Sequence, residues 1–255
     1  REGTLFSFPI KATDKEMIIT GAGNIKEINR LEELNVRDLT IAKAQKISKL
    51  NLSNSTRMTA LALGNNYLLR ELDCSMSYLL GTGTGGQTLN LSQCVNLRTV
   101  NIAYTKITGI TFPTNSNLTE VNLDGSSIKN VNIDGAEFLR DVSIENCVEI
   151  QNYELNKCKK LTTIDVSAST VRQFVATNCE NLVELNLSEC KQMVSFDVTN
   201  SPNIHTLRMT GNTGSIMNDL NLYTMYNLRA LYANNTTSLN KIRFHIVGAY
   251  FYCLV

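Results

Sequence analysis

LTTIDVSASTVRQFVATNCENLVELNLSECKQM, residues Leu161 to Met193, repeats one layout three times: an apolar residue, two variable residues, apolar-x-apolar, then a polar turn. The apolar-x-apolar element has a period of two, which is a short strand with one face turned to a core. It recurs at Val100–Ile102, Ile110–Phe112, Val121–Leu123, Val131–Ile133, Val142–Ile144, Tyr153–Leu155, Ile164–Val166, Phe174–Ala176, Leu185–Leu187, Phe196–Val198 and Leu207–Met209, always after 10 or 11 residues. Such regularity defines a repeat array before any secondary structure is assigned. Asn, Asp, Gly, Ser and Cys fill the gaps, as turns require. A unit of 11 residues that already holds a strand leaves about five, too few for a helix. An antiparallel sheet does not require alike turns. A coil with each strand parallel on its predecessor explains both the spacing and the turns, and confines unfilled core to the end coils.

Alternate units differ in character, so the full repeat is 21 or 22 residues. Leu97–Ile107 (LRTVNIAYTKI), Leu118–Ile128 (LTEVNLDGSSI), Leu161–Val171 (LTTIDVSASTV) and Leu182–Met193 (LVELNLSECKQM) carry one half of it. These segments resemble the leucine-rich-repeat consensus L-x-x-L-x-L-x-x-N/C-x-L from about Leu31 to Phe244. The short period is most similar to bacterial repeats of the internalin-like and Bacteroidetes surface type. The resemblance implies a mainly β, right-handed solenoid with parallel strands on a concave face and extended or turn-like convex segments. Two departures stand out. The chain has only 3 prolines, and its Cys-bearing turns echo a longer, helix-containing type whose units do not fit here.

The expected organisation is a cap or linker over residues 1–30, the array over 31–245 and an apolar segment over 246–255. The array loses phase between Val36 and Ile47. A flexible glycine loop is expected at Gly81–Gly86, and a second irregular coil at Thr210–Leu220. Arg1 to Pro9 lacks the layout of a signal peptide, so the chain reads as a mature or excised piece. The apolar stretch HIVGAYFYCLV from His245 reads as one that continues or docks on something.

With 43% hydrophobic residues over 255 positions, the chain is long enough to bury a substantial core. Its 24 basic and 23 acidic residues are interleaved, which speaks against a clustered basic surface for nucleic acid. Lys157, Lys159 and Lys160 read as a solvated turn. No apolar stretch reaches the roughly 20 residues of a membrane-spanning helix. Export is implied by the resemblance, whereas free thiols suit a reducing interior. The sequons at Asn54, Asn117 and Asn235 matter only in a eukaryotic secretory route.

Of the 7 cysteines, Cys94, Cys147, Cys158, Cys179 and Cys190 occupy the N/C position of the consensus, and Cys74 takes a core position. They read as a ladder of small buried side chains rather than a disulfide framework. No CxxC exists, and neither His205 nor His245 has partners suggesting a zinc site or a catalytic set. Gly81–Gly86 (GTGTGG) lacks the Lys-Ser/Thr of a phosphate-binding loop. The chain is therefore expected to be no enzyme and to take no metal or cofactor.

If the resemblance holds, binding falls on the concave face. Its middle gathers Glu120, Asp124, Asp141, Glu145, Asp165 and Glu184 beside Asn101, Asn122, Ser143 and Asn186. Its later coils carry His205, Arg208, Arg229 and Tyr232. The expected ligand site is Glu120, Asp141, Asp165, Glu184, Arg208, Arg229 and Tyr232, oriented by complementary charge toward a protein or glycan. Simple solubility of a sheet face is the competing explanation. The competing function is a structural part of a larger assembly, such as a stalk or a phage or viral appendage.

Overall fold

The computed structural model describes residues 16–20, 25–29, 36–44, 46–85, 87–114, 116–214, 219–237, 239–243 and 252–254. Among them there are 22 short strands and no helix, and every strand pairing is parallel. Alternate strands fall on two faces. One face is an eleven-stranded sheet running from Glu27–Asn29 to Tyr252–Leu254, and it contains all the consensus halves. The opposite face carries a six-stranded sheet from Thr88–Asn90 to Ser195–Asp197, with three strands before it and two after it.

All eleven apolar-x-apolar segments form strands. In each, the first apolar residue is the strand's central, inward one and the second follows the strand directly, as with Val100 and Ile102 at 2% and 0% exposure. The inward side chains of both sheets stack into a single core from Val36 to Ala233. Apolar columns of this kind are the main driving force of the coil. The convex segments are thus extended, as the resemblance implied, and pair into a sheet of their own.

Parallel pairing also reaches into the flanks. Glu16–Thr20 pairs with Asp38–Ala42, and Glu27–Asn29 with Lys49–Asn51. Tyr252–Leu254 pairs with Ala230–Tyr232. The rest of the expected cap and apolar tail lies outside the described residues.

Two devices close each coil. At many corners a small buried residue donates to a carbonyl of the preceding coil: Ser77 to Leu52 (3.0 Å), Cys147 to Leu123 (3.1 Å) and Cys190 to Val166 (3.2 Å) on one side. At the other corner Asn66 bonds Ile41 (2.9 Å), Cys179 bonds Leu155 (3.1 Å) and Ser201 bonds Ala176 (2.8 Å). These carbonyls leave the sheet ladder where the chain bends, and an unpaired buried carbonyl is costly. The six described thiols are free and buried. Burial raises the thiol pKa of Cys94, Cys179 and Cys190 to about 11.

The second device is an Asn or Asp at the strand's end whose Oδ1 accepts the N–H two residues on. Asn51, Asp73, Asn101, Asn122, Asp165 and Asn186 do this on the eleven-stranded sheet, at 2.8–3.1 Å. Each is an Asx turn that starts the corner.

The glycine segment is held in place. The N–H groups of Gly81 and Gly83 both donate to the Thr59 carbonyl (2.9 and 3.1 Å). Gly81 has φ +109° and lies so close to the next coil that a Cβ would stand 2.3 Å from the Lys106 backbone. Gly81 and Gly83 serve close approach, whereas Gly85 faces open space at φ +75°; Gly86 lies outside the described residues.

Candidate binding face

Strand register places the expected site residues in columns on the outward side of the eleven-stranded sheet. The first column runs Lys49, Glu71, Thr99, Glu120, Asp141 and then Thr163, Glu184, Thr206, Ala230. The second carries the turn-capping Asn and Asp residues, then Arg208 and Tyr232, and Leu254 of the last strand is registered beyond Tyr232. Glu120 and Asp141 are register partners. With Asp165 they line a shallow cavity of about 490 Å³ whose walls include Thr99, Asn101, Asn122, Ser143 and Thr163. Glu184 stands one coil beyond it.

The acidic residues differ in what they do. Asp165 is committed: its Oδ1 accepts the Ser167 N–H (2.8 Å) and its Oδ2 accepts the Asn186 amide (2.9 Å). Asp124 is committed as well, because its Oδ1 accepts the Ser143 hydroxyl (2.5 Å) and the Glu145 N–H (2.8 Å) of the next coil. It caps the turn that Ser143 is too short to cap. Glu120, Asp141 and Glu184 make no ion pair among the described residues. The ion pair on this face joins Lys49 to Glu71 (2.8 Å), two strands away from the acidic centre. Arg70, Arg98 and Arg140, each immediately before a strand, are exposed along the edge of the acidic column. Sequence reasoning passes over them, although their shared place in the repeat is visible.

The cavity abuts an interruption in the sheet. Asp141–Ser143 and Thr163–Asp165 share one registered pair, Ser143 with Asp165, where the neighbouring ladders share three. Elsewhere two consecutive N–H groups reach one carbonyl of the preceding coil, as Val183 and Glu184 reach Thr162 (2.8 and 3.1 Å). Among the described residues no such pair from Thr162 and Thr163 reaches Arg140. The Asp124 bonds hold the Ser143 turn to the coil before it, on the side away from Thr163.

In the later coils, Arg208 lies over the Tyr232 ring, 4.5 Å from its centroid. Arg229 is exposed, and its N–H donates to the His205 carbonyl (2.9 Å). All seven expected residues therefore lie on or beside one sheet. They form an acidic group and a basic, aromatic group rather than one pocket. Among the described residues, no cluster of three or more His, Cys, Asp or Glu is arranged to hold a metal ion, and no helix is long and apolar enough to cross a membrane.

Parallel coils of about 22 residues, with the consensus halves on one sheet, make this chain a parallel β-solenoid, consistent with a leucine-rich-repeat solenoid. No family model and no curated protein matches it. Among solved structures it is similar to the functional domain of InlJ from Listeria monocytogenes, which includes a cysteine ladder, at 15% identity and a TM-score of 0.38. That match covers 81% of this chain and 46% of the other, so this chain spans less than half of that protein's length. A leucine-rich-repeat protein of Leptospira interrogans is similar at 13% identity and a TM-score of 0.26, over 92% of this chain and 84% of that one. A leucine-rich cell surface protein of Faecalibacterium prausnitzii is similar at 10% identity and a TM-score of 0.21, over 92% and 88%. The fold assignment rests on register and repeat, not on these likenesses.

Proposed function

We propose that this chain is a non-enzymatic recognition module whose partner is a protein docked on the outward face of the eleven-stranded sheet. A basic segment of that partner lies over Glu120 and Asp141, and the contact extends toward Arg208, Arg229 and Tyr232. One observation supports the reading: Glu120 and Asp141 line a cavity on the sheet and make no ion pair among the described residues. Opposed charges across an interface govern steering and specificity more than raw affinity.

A short oligolysine peptide, titrated at low salt and followed by backbone amide shifts, tests it. The expected result is perturbation centred on residues 99–143, lost in Glu120→Lys/Asp141→Lys. Shifts spread over all acidic surfaces, or unchanged in the double variant, would sink the proposal. Asp124 and Asp165 are left intact because they cap turns.

A further inference from the structure

The strand-end column of the eleven-stranded sheet obeys a rule, and its breach is informative. Of the nine strands from Lys49–Asn51 to Ala230–Tyr232, six cap their own turns with Asn or Asp. One borrows its cap from Asp124. The remaining two end in Arg208 and Tyr232, and among the described residues no side chain caps the N–H of Thr210 or Asn234. An Asx cap is worth about 0.5–1.5 kcal/mol, so two consecutive coils forgo stability that every earlier coil retains.

At these two positions the caps give way to an Arg and a Tyr. They are in register and in contact, the guanidinium stacked on the ring at 4.5 Å. Stacking occupies the face of a guanidinium and leaves its N–H edge free, the geometry that grips a carboxylate with two bonds. The floor beside them is Thr206 and Ala230, where earlier coils carry Glu120, Asp141 and Glu184. Arg229 and His205 flank the other side of that floor, with Arg229 exposed and His205 half-buried. Of the nearby acids, Glu189 pairs with Lys191 (3.1 Å) and Asp165 caps its own turn, while Glu184, register partner of Thr206, makes no ion pair among the described residues and marks the boundary with the acidic coils. Arg208, Arg229 and Tyr232 make the patch cationic and aromatic, and its own two strands, Thr206–Arg208 and Ala230–Tyr232, carry no carboxylate.

We infer that Arg208, Tyr232, Arg229 and His205 form a distinct subsite for carboxylate side chains of an acidic protein segment. It rests on the proposed function only in sharing the face. Strands stack about 4.8 Å apart, so the subsite lies roughly 20 Å along the sheet from Glu120. A partner presenting basic and acidic groups at that separation docks in one polarity only.

Fluorescence-labelled oligoglutamate, titrated at low salt, is the probe. The wild-type chain is expected to bind it, with shifts at Tyr232 and His205 side-chain resonances. Arg208→Asn restores the cap, so it is expected to melt no lower than wild type while binding at least tenfold more weakly. Arg208→Lys, which keeps charge but not the fork, falls between. Arg208→Asn binding as well as wild type overturns the subsite. So does wild-type protein that ignores oligoglutamate, or that binds a heparin-derived oligosaccharide and not the peptide. If Arg208→Asn misfolds by circular dichroism, the wild-type resonance changes at Tyr232 and His205 decide alone. Loss of oligolysine binding with oligoglutamate binding retained refutes the acidic cavity and leaves this subsite standing, and the converse separates them equally.

Discussion

The corners of the coil and the outward face of its eleven-stranded sheet come from the same repeat yet tolerate change differently. At the corners Ser77, Cys147, Cys190 and Thr236 each donate to a carbonyl of the coil before, while Thr105 and Ser169 bond a carbonyl of their own coil. Residue type varies among these six, but each is small and brings a donor. On the face, the first column passes from Lys49 through Glu71 and Thr99 to Asp141 and Ala230 with no rule at all. The capping column lies between the two, regular up to Asn186 except at Ser143 and broken after Asn186. Regular positions answer to folding; on the reading proposed above, the break at Arg208 and Tyr232 answers to binding.

The largest test of the corner rule is collective. Burial raises Cys94, Cys179 and Cys190 from 9.0 to about 11. The unfolded chain releases these protons near pH 9 while the folded chain retains them, so folding stability falls as pH rises between about 9 and 11. A tenfold difference in proton affinity between the two states corresponds to about 1.4 kcal/mol, so several thiols together exceed the effect of any one substitution. Urea midpoints across pH 8–11 measure this, and midpoints independent of pH would contradict it.

Leu187→Ala comes next. Leu187 is 0% exposed in the central column, and such truncations cost about 2–5 kcal/mol. Chemical denaturation should register that loss, whereas Glu184→Ala, three residues away on the outer face, should stay within about 0.5 kcal/mol. Equal losses would erase the distinction between corner, core and face. Smaller again is Cys179→Val, which leaves the Leu155 carbonyl without its donor at 3.1 Å and should cost about 1–3 kcal/mol. Cys179→Ser keeps the donor, as Ser201 does one coil on, and should cost clearly less. If Val is tolerated better than Ser, the ladder is packing alone.

Much of this was legible in the sequence because the inward positions answer to one requirement, apolar bulk at a fixed step. The eleven segments from Val100 to Met209 all became strands. Leu39 and Ile41 are just as buried but were hidden by the phase slip before Ile47. The site was legible only as a set of residues. Asp165 has the same charge as Asp141, yet one caps a turn and the other is unpaired. That difference depends on what lies two residues along and one coil away. The Arg208–Tyr232 stack needed the register, since 24 residues separate the two in the chain. Asn or Asp recurring at strand ends was the available signal, and reading it as caps would have marked Arg208 as the exception.

The smallest predicted effect addresses the interruption beside the cavity. Ser143 stands where the rule places Asn, and the Glu145 N–H takes Asp124 instead. Ser143→Asn gives that turn a cap of its own, frees Asp124 and removes what holds the turn away from the next coil. A gain of about 0.5–1 kcal/mol is expected. A sharper readout is amide exchange at Thr162 and Thr163, which should be fast in the wild type and slower in the variant as their donors reach Arg140. Their counterparts Val183 and Glu184, bonded to Thr162 at 2.8 and 3.1 Å, should exchange slowly in both. Protection at Thr163 already equal to that at Glu184 would mean the sheet is continuous there. The open ladder would then no longer set the middle of the face apart from the coils on either side.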